Sequence, residues 1–217
     1  MERTIESTLL KADAVEQKII ELCQNALQYN FFGVCVNPCQ VALAHSILTG
    51  NQTIPVTVIG FPLGATKAEV KLLEAEKAVE DGACEIDLVV NIGALKDRKM
   101  DLLYKEISAI VQVGVPVKLI VETGFLTREE IDAVVECAVS GGIAFIKTST
   151  GYGPRGASME DIGYLRKILP ENIGIKASGG IRELDWARSL LNAGAQRLGT
   201  SSAEEIIKQY RNSLEKE

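Results

Sequence analysis

The sequence predicts a closed (β/α)8 barrel of the TIM-barrel class, formed as one domain over residues 1–217. Three observations predict it. Short apolar runs alternate with amphipathic stretches eight times along the chain. No low-complexity linker interrupts them. The polar and glycine-rich motifs fall at the C-terminal ends of the predicted strands, where barrels of this class place catalysis. An open doubly wound sheet fits the local alternation equally well, and the motif positions decide for the barrel.

The elements follow in order. Residues 3–8 read as the first strand. Residues 13–28 read as a helix with Asp13 as its N-cap and Ile19, Ile20, Cys23, Ala26 and Leu27 on one face. The second strand covers 31–36. A helix over 38–48 is opened by Pro38 and stopped near Gly50. The third strand, 56–60, runs into the turn Phe61-Pro62-Leu63-Gly64, and a helix over 67–81 ends at Gly82. Strand four (84–90) is followed by a helix over 100–113, and strand five (115–122) by one over 128–139. Strand six (143–148) precedes a helix over 158–169, for which Ser158 and Asp161 suggest a cap. Strand seven (173–177), a helix over 184–192, strand eight (197–200) and a helix over 203–214 that frays into residues 215–217 complete the pattern.

Composition excludes several functions. A net charge of -6 argues against a nucleic-acid or anionic-membrane partner, since both call for a basic face. No apolar run is long enough to span a bilayer, and the first residues lack the features of a secretory signal, so a cytoplasmic location is expected. The five cysteines, Cys23, Cys35, Cys39, Cys84 and Cys137, are irregularly spaced, with no Cys-x-x-Cys. Together with a single histidine, His45, they argue against a disulfide framework, a metal site or an imidazole-based nucleophile. His45 lies in a helical stretch and reads as structural or surface-exposed.

The chemistry concentrates in two lysines. Lys147 ends one apolar run, in Phe-Ile-Lys-Thr-Ser-Thr-Gly, and Lys176 ends another, in Ile-Lys-Ala-Ser-Gly-Gly. A buried ammonium loses its hydration, and a second cation nearby adds repulsion. Both effects drive an amine toward its neutral, nucleophilic form. In strand four, alternation puts Glu85, Asp87 and Val89 on one face and Ile86, Leu88 and Val90 on the other. Asp87 therefore points into the barrel, where it needs a cation, and Lys147, Lys176 and Lys118 are candidates. A buried ion-pair network without chemistry is the competing reading.

Three glycine- and hydroxyl-rich segments, 148–151, 178–180 and 199–202, follow strands six, seven and eight. Glycines let backbone N–H groups approach an anion, and a helix N-terminus adds a favourable dipole. Each alone reads as an ordinary turn. Together they favour a phosphate site.

These residues carry a resemblance. The segments 8–11, 34–38, 58–64, 85–87, 91–95 and 121–123, and above all 145–151, 176–182 and 199–202, resemble the 2-deoxy-D-ribose-5-phosphate aldolases, class I aldolases that form a Schiff base. The resemblance runs nearly end to end. It implies a cofactor-free and metal-free lyase acting on a small phosphorylated sugar, in a homo-oligomer, dimer or tetramer. It implies that Lys147 forms the imine, that Lys176 lowers the pKa of Lys147, and that Asp87 relays protons with Lys176 through a water. Thr8, Cys35, Phe61 and Thr150 match positions around the small substrate carbons. Gly151, Gly179, Gly180, Gly199, Ser201 and Ser202 match the phosphate site.

Two places depart from the family pattern. The usual Asp-His-Thr is Glu6-Ser7-Thr8, and the loop after Gly151 is Tyr152-Gly153-Pro154-Arg155-Gly156, with Arg155 read as a surface charge. Both bear on substrate range, so a related phosphosugar stands as a second reading. A phosphate-binding barrel whose lysines only neutralise an anion stands as a non-enzymatic third.

Overall fold

Eight parallel strands close on themselves in sequence order, each paired with its neighbours and the eighth with the first. The computed structural model describes residues 1–215. Its elements are β1 (Ile5–Leu9), α1 (Glu16–Gln28), β2 (Gly33–Val36), α2 (Val41–Leu48), β3 (Ile54–Ile59), α3 (Ala68–Glu80), β4 (Glu85–Val89), α4 (Ile92–Lys96), α5 (Met100–Val111), β5 (Val117–Ile120), α6 (Arg128–Ser140), β6 (Phe145–Lys147), α7 (Met159–Ile168), β7 (Gly174–Ser178), α8 (Leu184–Asn192), β8 (Arg197–Thr200) and α9 (Ala203–Leu214). The barrel is thus the predicted one, and the doubly wound alternative is excluded by the β1–β8 pairing. Among the described residues no helix is long and apolar enough to cross a membrane. The predicted fraying reaches residues 216 and 217, which lie outside the described residues.

The strand faces divide the interior into two unlike regions. Ile86 and Leu88 of β4 belong to the main apolar core, between the barrel and its helices, together with Ile146, Ile175 and Leu198. Inside the barrel, Cys35, Val56 and Val58 form a small apolar cluster of their own. The remaining inward positions on β1, β4, β5, β6 and β7 include Glu6, Glu85, Asp87, Lys118, Lys147 and Lys176, all buried. Burying six ionisable groups is costly unless they satisfy one another, so their arrangement decides what the barrel does.

Local departures from the sequence reading have physical causes. Asp13 is not the N-cap of α1; Val15 takes that place without a side-chain bond, and the helix starts at Glu16. Helix α4 was not expected. It is five residues long and held by its cap, Asn91, whose side chain accepts from the Ala94 N–H at 3.0 Å. The chain opens Pro38–Gln40 as a 3-10 turn before α2 begins. Strand β5 stops at Ile120, short of the predicted 122, because Glu122 takes a left-handed conformation with φ of 56°. Ser158 does cap α7, accepting from the Asp161 N–H at 3.1 Å. Gly82, with φ of 102°, closes the end of α3 as expected of a left-handed position.

Candidate active site

The strand register brings the inward groups together. Asp87 on β4 pairs in register with Lys118 on β5, and Lys147 on β6 with Lys176 on β7. Glu6 on β1 lies opposite Gly199 on β8. Gly199 lacks a side chain where one would collide: a Cβ there would lie 3.0 Å from Cε of Lys176 and 3.2 Å from Cβ of Ser178. The lysine shaft passes through the space this leaves.

The charged ends form one network. Asp87 Oδ2 accepts from Lys147 Nζ at 2.7 Å and from Lys176 Nζ at 2.6 Å, and Asp87 Oδ1 accepts from Lys118 Nζ at 3.0 Å. Lys176 also donates to Glu6 Oε2. Lys118 pairs with Glu85 Oε2 at 2.6 Å and lies 3.6 Å from Glu6 Oε1. Three lysines thus meet three carboxylates.

Burial alone would raise the Asp87 pKa, but Lys118, Lys147 and Lys176 outweigh it and hold the carboxyl well below the usual range. Glu6 is lowered too, with burial opposed by Lys118 and Lys176. For Lys176 the structure reverses the expectation that burial drives it neutral. Desolvation does pull its pKa down, but Asp87 and Glu6 pull harder, and it ends above its ordinary value. Lys118 is raised in the same way, with Asp87 and Glu6 overcoming its desolvation. Lys176 and Lys118 are therefore pulled toward their charged forms.

Lys147 differs from both. Lys118 and Lys176 are fully buried, whereas Lys147 retains 3% exposure and lines a cleft of about 270 Å³ at the C-terminal end of the barrel. Its one carboxylate partner, Asp87, also serves Lys176 and Lys118. Of the three amines, Lys147 is the least neutralised and the only one on the cleft wall.

Of the other sequence-predicted residues, Thr8, Thr150, Gly151, Gly179, Gly180, Gly199 and Ser201 line the same cleft. Gly151, Gly179 and Gly180 all have positive φ, near 89°, 87° and 74°, which accounts for glycine at each. Asp87 and Lys176 are buried away from the cleft wall and reach it through Lys147. Cys35 is also sealed: it is fully buried, its thiol pushed up to about 11 by desolvation, and Leu10, Ile54 and Phe61 pack against the cluster it forms with Val56 and Val58. Ser202 precedes α9 off the cleft wall, and its N–H is taken by Thr200 Oγ1 at 2.9 Å. Arg155 pairs with Asp161 and donates to the Thr123 carbonyl at 3.3 Å, away from the cleft.

Sequence reasoning missed three contributors. Lys11 and Arg182 line the cleft and add positive charge beside the glycine loops. Both stood inside the quoted motifs, and their nearness to each other required the fold. The buried Glu122 holds Thr150 in place, its Oε2 accepting from the Thr150 N–H at 3.0 Å and from the Thr150 hydroxyl.

Comparison with known proteins bears on the family and the fold. No protein-family model matches the chain. The deoxyribose-phosphate aldolase of Halalkalibacterium halodurans is 47% identical over 207 residues, covering 94% of this chain and 92% of that protein. A solved structure described as QR15, an aldolase, superposes with a TM-score of 0.91 at 41% identity, covering 96% of each chain. A structure described as a unique tetrameric deoxyribose phosphate aldolase from Aeropyrum pernix superposes with a TM-score of 0.89 at 32% identity, covering 96% of this chain and 89% of that one. The barrel, the lysine-lined cleft and 47% identity over 94% of the chain lead to one conclusion: the chain belongs to the deoxyribose-phosphate aldolase family.

Proposed function

We propose that this chain reversibly cleaves 2-deoxy-D-ribose 5-phosphate to D-glyceraldehyde 3-phosphate and acetaldehyde, through an imine on Lys147. The observation that carries this reading is the position of Lys147. It is the one amine of a buried three-lysine network that opens on the cleft, and its carboxylate partner is shared with Lys176 and Lys118. The names of its relatives support the substrate.

The free amine of Lys147 attacks the aldehyde carbon of the open-chain sugar. A bond forms between Nζ and C1, and the carbonyl oxygen leaves as water. The resulting iminium draws the electron pair of the C2–C3 bond toward C2. The C3 hydroxyl gives up its proton as C3 becomes the aldehyde of glyceraldehyde 3-phosphate. The enamine left on Lys147 takes a proton at C2 and is hydrolysed to acetaldehyde. Asp87 accepts from both the reacting amine and Lys176, and Lys176 also donates to Glu6, so a continuous hydrogen-bonded path leads away from Lys147 for acid–base help. Acid–base help of this kind is typically worth about 10²–10⁴-fold.

The phosphate lies, in this reading, against Gly151, Gly179, Gly180 and Ser201, with Lys11 and Arg182 adding charge and the N-terminus of α9 adding its dipole. Gly199 contributes chiefly by making room for Lys176. Phosphate binding far from the broken bond holds the sugar in a reactive position. Thr8 and Thr150 flank the small carbons, with Phe61 and Cys35 behind them.

Sodium borohydride tests the mechanism. With 2-deoxyribose 5-phosphate present it should reduce the imine and add one substrate-derived group, mapped to Lys147 by peptide mass. EDTA should leave turnover unchanged. An adduct on another residue, or activity that needs a metal, rejects the proposal. We place the enzyme in the cytoplasm, where free thiols such as Cys39 and Cys84 persist. We also propose a homo-oligomer, in keeping with the tetramer named for the Aeropyrum pernix relative; light scattering at micromolar concentration checks it.

A further inference from the structure

Tyr152 stands between two cavities. One is the cleft on Lys147. The other, of about 240 Å³, is walled by Pro62, Leu63, Ile92, Phe125, Gly153 and Glu122, and Thr150 and Tyr152 line both. The second cavity has no part in the chemistry described above.

Tyr152 is tied at both ends. Its N–H donates to Thr150 Oγ1 at 3.0 Å, and Thr150 is itself held by Glu122. At the other end its hydroxyl donates at 3.2 Å to the carbonyl of Leu10, in the loop after β1 and 142 residues away. Between these anchors its ring meets Phe61 edge-on, with centroids 5.5 Å apart. Glu122, at the base of this chain of contacts, keeps a left-handed backbone with φ of 56°. A glutamate holds that conformation only where its surroundings impose it. Yet Tyr152 is 59% exposed, so the ring is not filling a core. A half-exposed aromatic ring fixed at both ends across an opening serves as a bar.

We propose that Tyr152 is a specificity-determining residue: it partitions the cleft on Lys147 from an apolar side cavity, and so confines the enzyme to short aldehydes. Behind the bar, the side cavity is a latent subsite for an aldehyde with an unbranched alkyl tail. Its walls are mostly apolar, with Glu122 the one carboxylate among them, its size is close to that of the cleft, and only Thr150 and Tyr152 are common to both. The inference rests on the reading that Lys147 forms an imine.

Borohydride trapping of simple aldehydes tests it without any sugar phosphate. Nζ of Lys147 bonds to the aldehyde carbon, the oxygen leaves as water, and borohydride delivers hydride to the imine carbon to leave a secondary amine. Trapping rates with acetaldehyde and with hexanal are compared by peptide mass on Lys147. Tyr152→Ala should raise the hexanal-to-acetaldehyde ratio at least about tenfold over the native chain, in keeping with the discrimination a few methylenes give an apolar pocket. Tyr152→Phe keeps the ring but loses the bond to Leu10 and should give a smaller rise. Adding Leu63→Trp to Tyr152→Ala fills the side cavity and should return the ratio toward the native value, which a general loosening of the site would not do. An unchanged ratio in Tyr152→Ala, with acetaldehyde still trapped on Lys147, overturns the partition alone. Failure of the native chain to trap acetaldehyde on Lys147 overturns the imine mechanism and the partition with it.

Discussion

Lys147 Nζ lies 2.7 Å from Asp87 Oδ2, a contact that joins β6 to β4 across the barrel. Asp87 holds the amine in place but cannot neutralise it alone, because the same oxygen also binds Lys176. Removing the amine should therefore remove the chemistry and little else. Lys147→Leu is expected to lower cleavage of 2-deoxyribose 5-phosphate by roughly 10⁴-fold or more. Circular dichroism and the melting transition should show the barrel intact. Retained turnover in this variant would place the nucleophile elsewhere.

The buried network also sets a pH window. Asp87 and Glu6 have folded pKa values below their ordinary ones, so they add stability above about pH 4, which is lost as pH falls through the folded values. Lys176 and Lys118 have raised values, so their contribution is present below about pH 10 and is lost as pH rises through the folded values. Glu6→Gln removes one of the two carboxylates that hold the Lys176 proton. The alkaline fall in melting temperature should then begin at lower pH than in the native chain. An alkaline limb that stays where it was would mean that Glu6 does not support Lys176.

Gly199→Ala places a methyl group 3.0 Å from Cε of Lys176. The shaft is flexible and will give way, so the cost in stability should be modest, on the order of 1 kcal/mol. The displaced ammonium must still move relative to Asp87 and Glu6. We expect kcat to fall by more than tenfold with KM nearly unchanged, since the phosphate loops are untouched. A rise in KM alone would point instead to a phosphate role for Gly199.

Behind β4, Lys71 of α3 donates to Glu106 of α5 at 2.8 Å and to the Val89 carbonyl at 2.9 Å, fully buried. Burial lowers the lysine's pKa and raises the glutamate's in spite of their attraction. Desolvation therefore exceeds what the pair recovers. Lys71→Met leaves the Glu106 carboxylate buried alone and should cost roughly 3–5 kcal/mol in urea unfolding. Lys71→Met with Glu106→Leu should recover most of that loss. A double variant no more stable than the single one would show that the pair is net stabilising.

Much of this was legible without coordinates. The alternation of apolar runs located all eight strands, and the period of two placed Asp87 inward. Boundaries were read less well where the backbone answers to tertiary contacts. Glu122 ends β5 early because its carboxylate holds Thr150, and Asn91 starts a short helix that has no apolar period to announce it. Glu6 was visible as a retained carboxylate; its bond to Lys176, 170 residues away, was not.

The linear pattern thus determined the barrel, the inward lysines and the glycine loops, because each follows from local periodicity and residue type. Charge state followed no such rule. Burial by itself predicts a neutral Lys176, and only the closed barrel brings Asp87 and Glu6 close enough to reverse that. The division of labour among three similar lysines, and the bar that Tyr152 lays from one loop to another, were likewise decided in three dimensions. Coulombic and hydrogen-bond energies depend on distances that sequence separation does not encode.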